Sequence, residues 1–189
     1  FDGLMSYVQK FEPSIVICEN VKGITLRNKG AEPVIQHVQA SFKGSGYAFD
    51  YKLLDTQDYL LPQRRNRCWM WAFKGRHNQD AAERTGEDVV ALSSKRRIGC
   101  ESLFRKAGVK PAKKHILNDR QRLVVKTVLS KLKPDDRKDV TIDINKSAWR
   151  APFCVGPVVN CIVPNSMPYR VKTRCLLSPE QACCVQGIY

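Results

Sequence analysis

The chain has 189 residues, of which 43% are hydrophobic and 26% charged, and this balance is enough to bury a core without crosslinks. Thirty-two Lys and Arg residues against eighteen Asp and Glu give a formal net charge of +14. This charge excludes the class of acidic solubilising proteins and favours a polyanionic partner. The excess lies in the middle of the chain, because residues 60–150 hold twenty-three basic and ten acidic side chains whereas residues 1–59 hold six and seven.

Apolar runs are short, and a run such as Ser14 to Cys18 is far below the roughly 20 residues that a membrane-spanning helix needs. The sequence begins with Phe1 and shows no charged and apolar leader, which predicts an internal piece of a longer protein. The eight cysteines lack paired C-x-x-C spacing, and the three histidines form no ligand pattern with them. Reduced intracellular thiols are therefore expected, and a zinc site is not.

The first part of the chain alternates helical and extended patterns. Residues 2–11 have apolar side chains at helical spacing, and Pro13 ends this helix before the apolar run Ile15 to Ile17. That run predicts a buried strand in the middle of a parallel sheet, because it is apolar on both faces. Residues 32–42 predict a second helix and residues 48–54 a second strand, which together form a crossover unit of an open α/β sheet. A third strand is predicted over residues 68–73.

From Lys74 the sequence is rich in charge with little sustained periodicity, which predicts a separate basic lobe. Within this lobe the spacing predicts an amphipathic helix over residues 119–132 and short strands over 140–144 and 158–163. Near the end, Ser178-Pro179-Glu180 predicts the start of a short helix that ends at Gly187.

Glu19, Asn20 and Val21 follow the predicted buried strand directly. Ligands of open α/β sheets bind in the crevice at the carboxyl ends of strands, so a carboxyl group at this position is placed to contact a substrate. The simpler interpretation is that Glu19 caps the following turn.

The third strand is preceded by Pro62-Gln63-Arg64-Arg65-Asn66-Arg67. On an extended backbone Arg65 and Arg67 project to the same side, which presents two guanidinium groups together beside the sheet. A solvated basic turn is the alternative, as for most runs of charge.

Together the two segments resemble the cytosine-5 DNA methyltransferase family. Residues 13–23, which contain Glu19-Asn20-Val21, are similar to its P-x-x-x-x-x-E-N-V block, and residues 62–67 are similar to its P-Q-x-R-x-R block, in the family's order. Residues 177–187 are similar to the L-T-x-x-E-x-x-R-L-Q-G segment that follows a variable target-recognition domain. In this third block Gln181 stands where the family has Glu, and Cys184 where it has Arg.

The family's glycine-rich cofactor loop and its Pro-Cys-Gln nucleophile loop have no counterpart, and no Pro-Cys pair occurs in the chain. The resemblance therefore implies that these residues lack the nucleophile and most of the S-adenosylmethionine site and are inactive alone. Cys18 is expected to be a structural thiol, because burial at the end of a strand raises the pKa of a thiol. Cys183-Cys184 does not match the nucleophile either.

The fold that the resemblance implies is α/β. It is the second half of a Rossmann-like, S-adenosylmethionine-dependent methyltransferase sheet, with the strand over 68–73 antiparallel at its edge, plus a small basic target-recognition domain. Residues 1–73 would be the catalytic half, residues 74–170 the recognition domain and residues 171–189 a return segment that packs on the catalytic domain. The implied partner is double-stranded DNA, with no membrane and no metal, in an intracellular location that is the nucleus in a eukaryote.

The resemblance also implies roles for single residues. Glu19 would contact the ring nitrogen and the exocyclic amine of a cytosine flipped out of the duplex, and Asn20 would order the loop around it. Arg67 would donate to the cytosine carbonyl oxygen, and Arg65 would bind a phosphate or brace the nucleophile loop.

Candidates for further nucleic-acid contacts are polar and basic side chains, each with solvated surface as the alternative: Gln63, Arg64, Arg96, Arg97, Lys113 and Lys114. Trp149-Arg150 is either a stacking pair near DNA or part of the lobe's core. Two alternative functions stay open. RNA cytosine-5 methylation uses the same motifs, and a non-catalytic nucleic-acid-binding remnant is favoured by the degenerate third block.

Overall fold

The computed structural model describes residues 1–27, 30–94, 96–110 and 112–188. Helices and strands are mixed along the whole chain, as expected for an α/β protein. In chain order they are α1 (Asp2–Phe11), β1 (Ile15–Val21), α2 (Val34–Gly44), β2 (Tyr47–Asp55), β3 (Gln63–Arg64), β4 (Asn66–Lys74), α3 (Gln79–Ala91), α4 (Cys100–Lys106), α5 (Asp119–Ser130), β5 (Val140–Asp143), β6 (Phe153–Val155), β7 (Val159–Asn160), β8 (Pro168–Arg170), β9 (Cys175–Leu176) and α6 (Pro179–Val185).

These elements form two compact units, each built from two stretches of chain. The first unit contains Phe1–Asp55 and Asn66–Ser93, and the second contains Thr56–Arg65 and Ser94–Tyr189. The compact units therefore do not follow the predicted segment boundaries. Residues 74–93 belong with the first unit, and residues 171–189 belong with the second.

The first unit contains a three-stranded sheet in the order β1-β4-β2. β4 is antiparallel to both neighbours, so β1 and β2 are parallel to each other and the connection through α2 is the predicted crossover. The prediction that residues 68–73 form an edge strand was wrong. Met70, Trp71 and Ala72 are each buried, and a strand buried on both faces is stable in the centre of a sheet.

β1 was predicted as a central buried strand, and this was also wrong for the described residues. It pairs with β4 alone in this sheet, and its two faces differ. Val16 is 9% exposed, whereas Ile15 and Ile17 are 53% and 66% exposed. Apolar residues on both faces therefore do not mean burial on both faces at this strand.

The main core of the first unit lies between this sheet and helices α1 and α2. Met5 and Val8 on α1 and Ile35, Val38 and Phe42 on α2 are buried at helical spacing, which explains why both helices were predictable. The aromatic rings of Phe42 and Phe49 stack with centroids 5.4 Å apart.

Helix α3 was not predicted, because the residues that it buries are small. Ala82 and Gly86 pack against the second face of the sheet, beside the buried indole of Trp71. The Trp71 Nε1–H donates to the carbonyl oxygen of Ala82 over 2.7 Å. A contact through Ala and Gly leaves no large apolar side chains to mark the periodicity of a helix.

The second unit contains a four-stranded sheet in the order β6-β5-β8-β9. Helix α5 packs on it through Val124 and Val128, and its start is set by a capping box between Asn118 and Gln121. α5 and β5 lie within the predicted ranges 119–132 and 140–144. The strand predicted over 158–163 is reduced to Val159–Asn160.

Helix α6 packs within the second unit. It starts with a capping box between Ser178 and Gln181 and ends before Gly187, whose φ of +81° suits glycine. Cys184 and Val185 join α4 residues in one buried cluster. No helix in the described ranges is long and apolar enough to cross a membrane.

Candidate active-site ion pair and the basic unit

Glu19 and Arg67 form an ion pair on neighbouring strands of the first unit. Glu19 Oε1 lies 2.8 Å from Arg67 Nε, and the side chains are 33% and 17% exposed. The register of β1 and β4 places Glu19 opposite Trp69 and Val21 opposite Arg67, so Glu19 and Arg67 are diagonal neighbours on one face of the sheet. The two residues that the sequence motifs singled out separately are thus in contact.

The pair is held at the carboxyl end of β1. Arg67 Nη1 also donates to the carbonyl oxygen of Asn66 over 2.9 Å, which restricts the orientation of its guanidinium group. Glu19 lies on the face of β1 that carries the exposed residues Ile17 and Val21, opposite the face that packs on α1 and α2. A carboxylate there is held by a cation and still reaches solvent.

Asn20 points to the other face of β1 and orders the local backbone. Its Oδ1 accepts a hydrogen bond from the N–H of Val21 over 2.8 Å. The chain then passes into a short 3-10 helix over Lys22–Thr25, whose Ile24 is buried. Asn20 therefore stabilises the point at which β1 ends.

Arg65 and Arg67 belong to different units, because the chain passes from the second unit to the first after Arg65. Arg65 is half-buried, and its Nη1 lies 3.6 Å from the sulfur of Cys161. The expectation that the two guanidinium groups project together stays a prediction.

Gln63 differs from the expectation of a nucleic-acid contact. It is 1% exposed, and its backbone pairs with Val159 of β7 in a short parallel ladder. This pairing partner lies 96 positions later in the chain. Its neighbour Arg64 is exposed.

The other basic candidates lie on the surface of the second unit. Arg96, Arg97, Lys113 and Lys114 are all exposed. Arg97 is already engaged, since its Nη2 lies 2.8 Å from Asp58 Oδ1 and its Nη1 donates to Gln57 Oε1.

All eight cysteines are free thiols, and burial raises the pKa of several of them. Burial raises the pKa of Cys18, as predicted, and raises that of Cys68 to about 11 and that of Cys100 to about 12. The thiolate is the nucleophilic form of a thiol, and burial disfavours that form for these three side chains.

No local pattern in the sequence indicates the ion-paired cluster around Arg170. This residue is 4% exposed and pairs with Glu101 and, over 3.2 Å, with Asp139. Burial raises the pKa of Glu101, but the Arg170 guanidinium outweighs it and the net shift is downward. These residues are far apart in the chain, so local spacing carries no signal for the cluster.

The net charge of the protein is divided sharply between the two units. The first unit contains ten basic and ten acidic side chains, and the second contains twenty-two and eight. The whole excess of +14 therefore lies in the second unit. This division is sharper than the sequence suggested, because α3 carries acidic residues into the first unit.

Comparison with known proteins identifies the class. Residues 2–151 match the model of the C-5 cytosine-specific DNA methylase family, and the chain belongs to this family. The match includes β1 and β4, which supply Glu19 and Arg67.

Curated relatives match over shorter stretches. The chain is 29% identical over 85 residues to the Type II methyltransferase M.AplI of Arthrospira platensis, which is 43% of this chain and 24% of that protein. It is 39% identical over 56 residues to M.BsuRI of Bacillus subtilis, which is 30% of this chain and 12% of that protein. It is 30% identical over 70 residues to M.BsuFI of Bacillus subtilis, which is 37% of this chain and 17% of that protein. The chain thus spans no more than about a quarter of the length of these relatives.

Proposed function

We propose that this chain forms the base-binding part of an enzyme that transfers a methyl group from S-adenosylmethionine to carbon-5 of a cytosine in DNA. The observation that carries the proposal is the contact between Glu19 and Arg67 at the carboxyl end of β1. Membership of the DNA methylase family supports DNA rather than RNA as the substrate.

The proposed task of Glu19 follows from the chemistry of the base. A cytosine ring is a poor electrophile, and attack of a nucleophile at carbon-6 places negative charge on the ring nitrogen. A carboxyl group that carries a proton can donate its O–H to this nitrogen, and the proton moves toward the ring as the charge develops. The same group accepts from the exocyclic amine, which distinguishes cytosine from thymine.

The proposed task of Arg67 is to hold Glu19 and to donate to the carbonyl oxygen of the base. A guanidinium group suits both tasks, because its planar N–H donors point in fixed directions. The base must leave the duplex to reach this pair, so the reaction includes base flipping. Asn20 would keep the end of β1 ordered while the base enters.

The proposed partner is double-stranded DNA, held by the second unit. Its charge of +14 suits neutralisation of phosphates, with Arg64, Arg65, Arg96, Lys113 and Lys114 as candidate contacts. In this proposal the first unit is the second half of a Rossmann-like methyltransferase sheet, and the target-recognition domain lies in the second unit. S-adenosylmethionine supplies the methyl group, and we assign none of the described residues to holding it.

The test is single-turnover methylation by a form of the protein that also carries the Pro-Cys-Gln loop, which these residues lack. Glu19→Gln should reduce the chemical rate on the order of a hundredfold to a thousandfold, the usual cost of losing a preorganised contact to developing charge. Its DNA affinity should change little.

The matched control is Glu12→Gln, which also removes a carboxylate from the first unit. Glu12 pairs with Lys74 at the opposite end of the strands and should leave the rate unchanged. A Glu19→Gln enzyme as fast as the unmodified protein would contradict the proposal.

A further inference from the structure

Trp149 is a large aromatic side chain that the fold leaves in solvent. Its side chain is 80% exposed, whereas Trp71 is 5% and Trp69 40% exposed. Trp149 is therefore not part of a core, which removes one of the two interpretations of Trp149-Arg150. Single exposed apolar side chains are common on protein surfaces, so exposure alone does not mark Trp149 as a binding residue; its anchored turn and its basic neighbours do.

The turn that carries Trp149 is fixed by its neighbours. Ala148 and Ala151 on either side pack on the core of the second unit, and the N–H of Arg150 donates to the carbonyl oxygen of Ser147 over 3.0 Å. The indole is consequently presented outward from an anchored turn.

One cation lies beside the ring, and the loop that carries the ring is basic. The Lys131 ammonium group lies 5.8 Å from the centroid of the Trp149 ring. Residues 144–150 contain Lys146 and Arg150 and no acidic residue. Helix α5 also contacts this loop near its start, where Arg120 Nη2 donates to the carbonyl oxygen of Asn145 over 3.3 Å.

We propose that Trp149, with Lys131 beside its ring and Lys146 and Arg150 in the same loop, is a stacking platform for an unpaired base of a DNA strand. An aromatic face in a basic setting is the combination by which proteins bind single strands, since the ring stacks on a base while the cations neutralise adjacent phosphates. In a duplex the faces of the bases are covered by their neighbours, so this platform discriminates in favour of unpaired nucleotides. A second copy of the chain is disfavoured at this site, because its second unit carries the same surplus of positive charge.

The inference rests on the proposed function only in taking DNA as the nucleic acid. It belongs to the second unit, whereas Glu19 and Arg67 belong to the first. Its test reads binding and not methyl transfer, so a failure of either proposal can be recognised separately.

The experiment measures binding of the whole chain to fluorescein-labelled oligo(dT) and to the corresponding duplex by fluorescence anisotropy. Trp149→Ala should weaken binding to the single strand roughly 5- to 150-fold, the range for the loss of one stacked base. Trp149→Phe keeps an aromatic face and should retain most of the affinity. The control is Ile116→Ala, which removes an 87% exposed apolar side chain from the same unit and should change nothing.

Two further measurements separate stacking from charge and from folding. Trp149→Ala should keep the salt dependence of binding, whereas Lys131→Ala should reduce it. Thermal unfolding of Trp149→Ala should match that of the unmodified chain. Equal affinities of Trp149→Ala and the unmodified chain for oligo(dT), or an equal loss on the duplex, would overturn the proposal. So would sedimentation showing that Trp149→Ala converts a dimer into a monomer.

Discussion

Arg65 and Arg67 are two residues apart, yet their contacts differ in kind. Arg67 is held against Glu19, whereas Arg65 lies beside Cys161 in the other unit. We propose that Arg67 acts on the flipped base and Arg65 on a phosphate or on the closing nucleophile loop.

The two arginines should therefore respond differently to DNA concentration. In a form of the protein that carries the nucleophile loop, Arg67→Ala should lower the single-turnover rate at saturating DNA about a hundredfold or more. The defect of Arg65→Ala should shrink as DNA becomes saturating, because a binding contact matters less when the site is full. Equal residual defects at saturation would show that this division of roles is mistaken.

The Glu101–Arg170 pair should make the protein sensitive to acid. The pKa of Glu101 in the folded chain is below its usual value of 4.5, so the stability it contributes is present above that pH and is lost as the pH falls through the folded pKa. Glu101→Gln should lower the free energy of unfolding in urea at pH 7, and the difference from the unmodified chain should close at acid pH.

Asp135→Asn is the control for this measurement. Asp135 pairs with Lys138 across i,i+3, but its side chain is 95% exposed, and exposed pairs contribute little. Its free energy of unfolding should equal that of the unmodified chain at both pH values. If the difference in free energy of unfolding between Glu101→Gln and the unmodified chain persisted at acid pH, the electrostatic explanation would be contradicted.

At the scale of elements, helix α3 depends on a close approach that only glycine allows. A Cβ atom added at Gly86 would lie 2.9 Å from Cζ2 of Trp71 and 2.7 Å from atoms of Asp50 and Lys52. The Asp50 and Lys52 side chains can rotate away. The Trp71 ring cannot, because it is buried and its Nε1–H is bonded to Ala82.

Gly86→Ala should therefore destabilise the chain by about 1–3 kcal/mol, despite the higher helix propensity of alanine. Gly3→Ala in α1 is the matched substitution, since nothing lies within 4 Å of its added Cβ atom. It should be neutral or stabilising by up to about 1 kcal/mol. The free energy of unfolding of both variants is measured in urea. Equal values for Gly86→Ala and Gly3→Ala would contradict the role assigned to close packing at Gly86.

Local signals made several elements predictable. Apolar spacing marked α1, α2 and α5, and the residues Ser178 and Pro179 marked the start of α6. The order of strands was not predictable in the same way, because the insertion of β4 between β1 and β2 depends on pairing between distant segments. Helix α3 was missed since Ala82 and Gly86 bury no large side chain.

The candidate site shows the same limit. The motifs identified Glu19 and Arg67 as residues, but their contact depends on the register of two strands that are far apart in the chain. Gln63 was expected at a surface, and its burial depends on pairing with Val159. Neither the contact between Glu19 and Arg67 nor the pairing of Gln63 with Val159 can be predicted from the spacing of residues within one segment.

At the scale of the whole molecule, the charge division assigns the proposed binding of duplex DNA to the second unit. The logarithm of the binding constant should fall linearly with the logarithm of salt concentration, with a slope of about −0.9 for each phosphate neutralised. Arg96→Ala should reduce the steepness by about that amount, and Arg97→Ala by less, because Arg97 is already paired with Asp58.

Lys43→Ala is the control, since it removes an exposed cation from the first unit, whose net charge is zero. It should leave the slope unchanged. Binding by the whole chain that hardly responds to salt would refute the electrostatic interpretation.

The division of each unit between two stretches of chain also sets an order of events on the ribosome. The first unit is fully synthesised once residue 93 has been added, but Gln63 and Arg64 of β3 pair with β7, which is made much later. At roughly 5–20 residues per second, β3 waits for several seconds before Val159 and Asn160 arrive. During this interval Leu61 and Pro62 lack later neighbours such as Gly187 and Val159, whose N–H donates to the carbonyl oxygen of Pro62. Chaperones should therefore bind a nascent chain that is stalled in this interval.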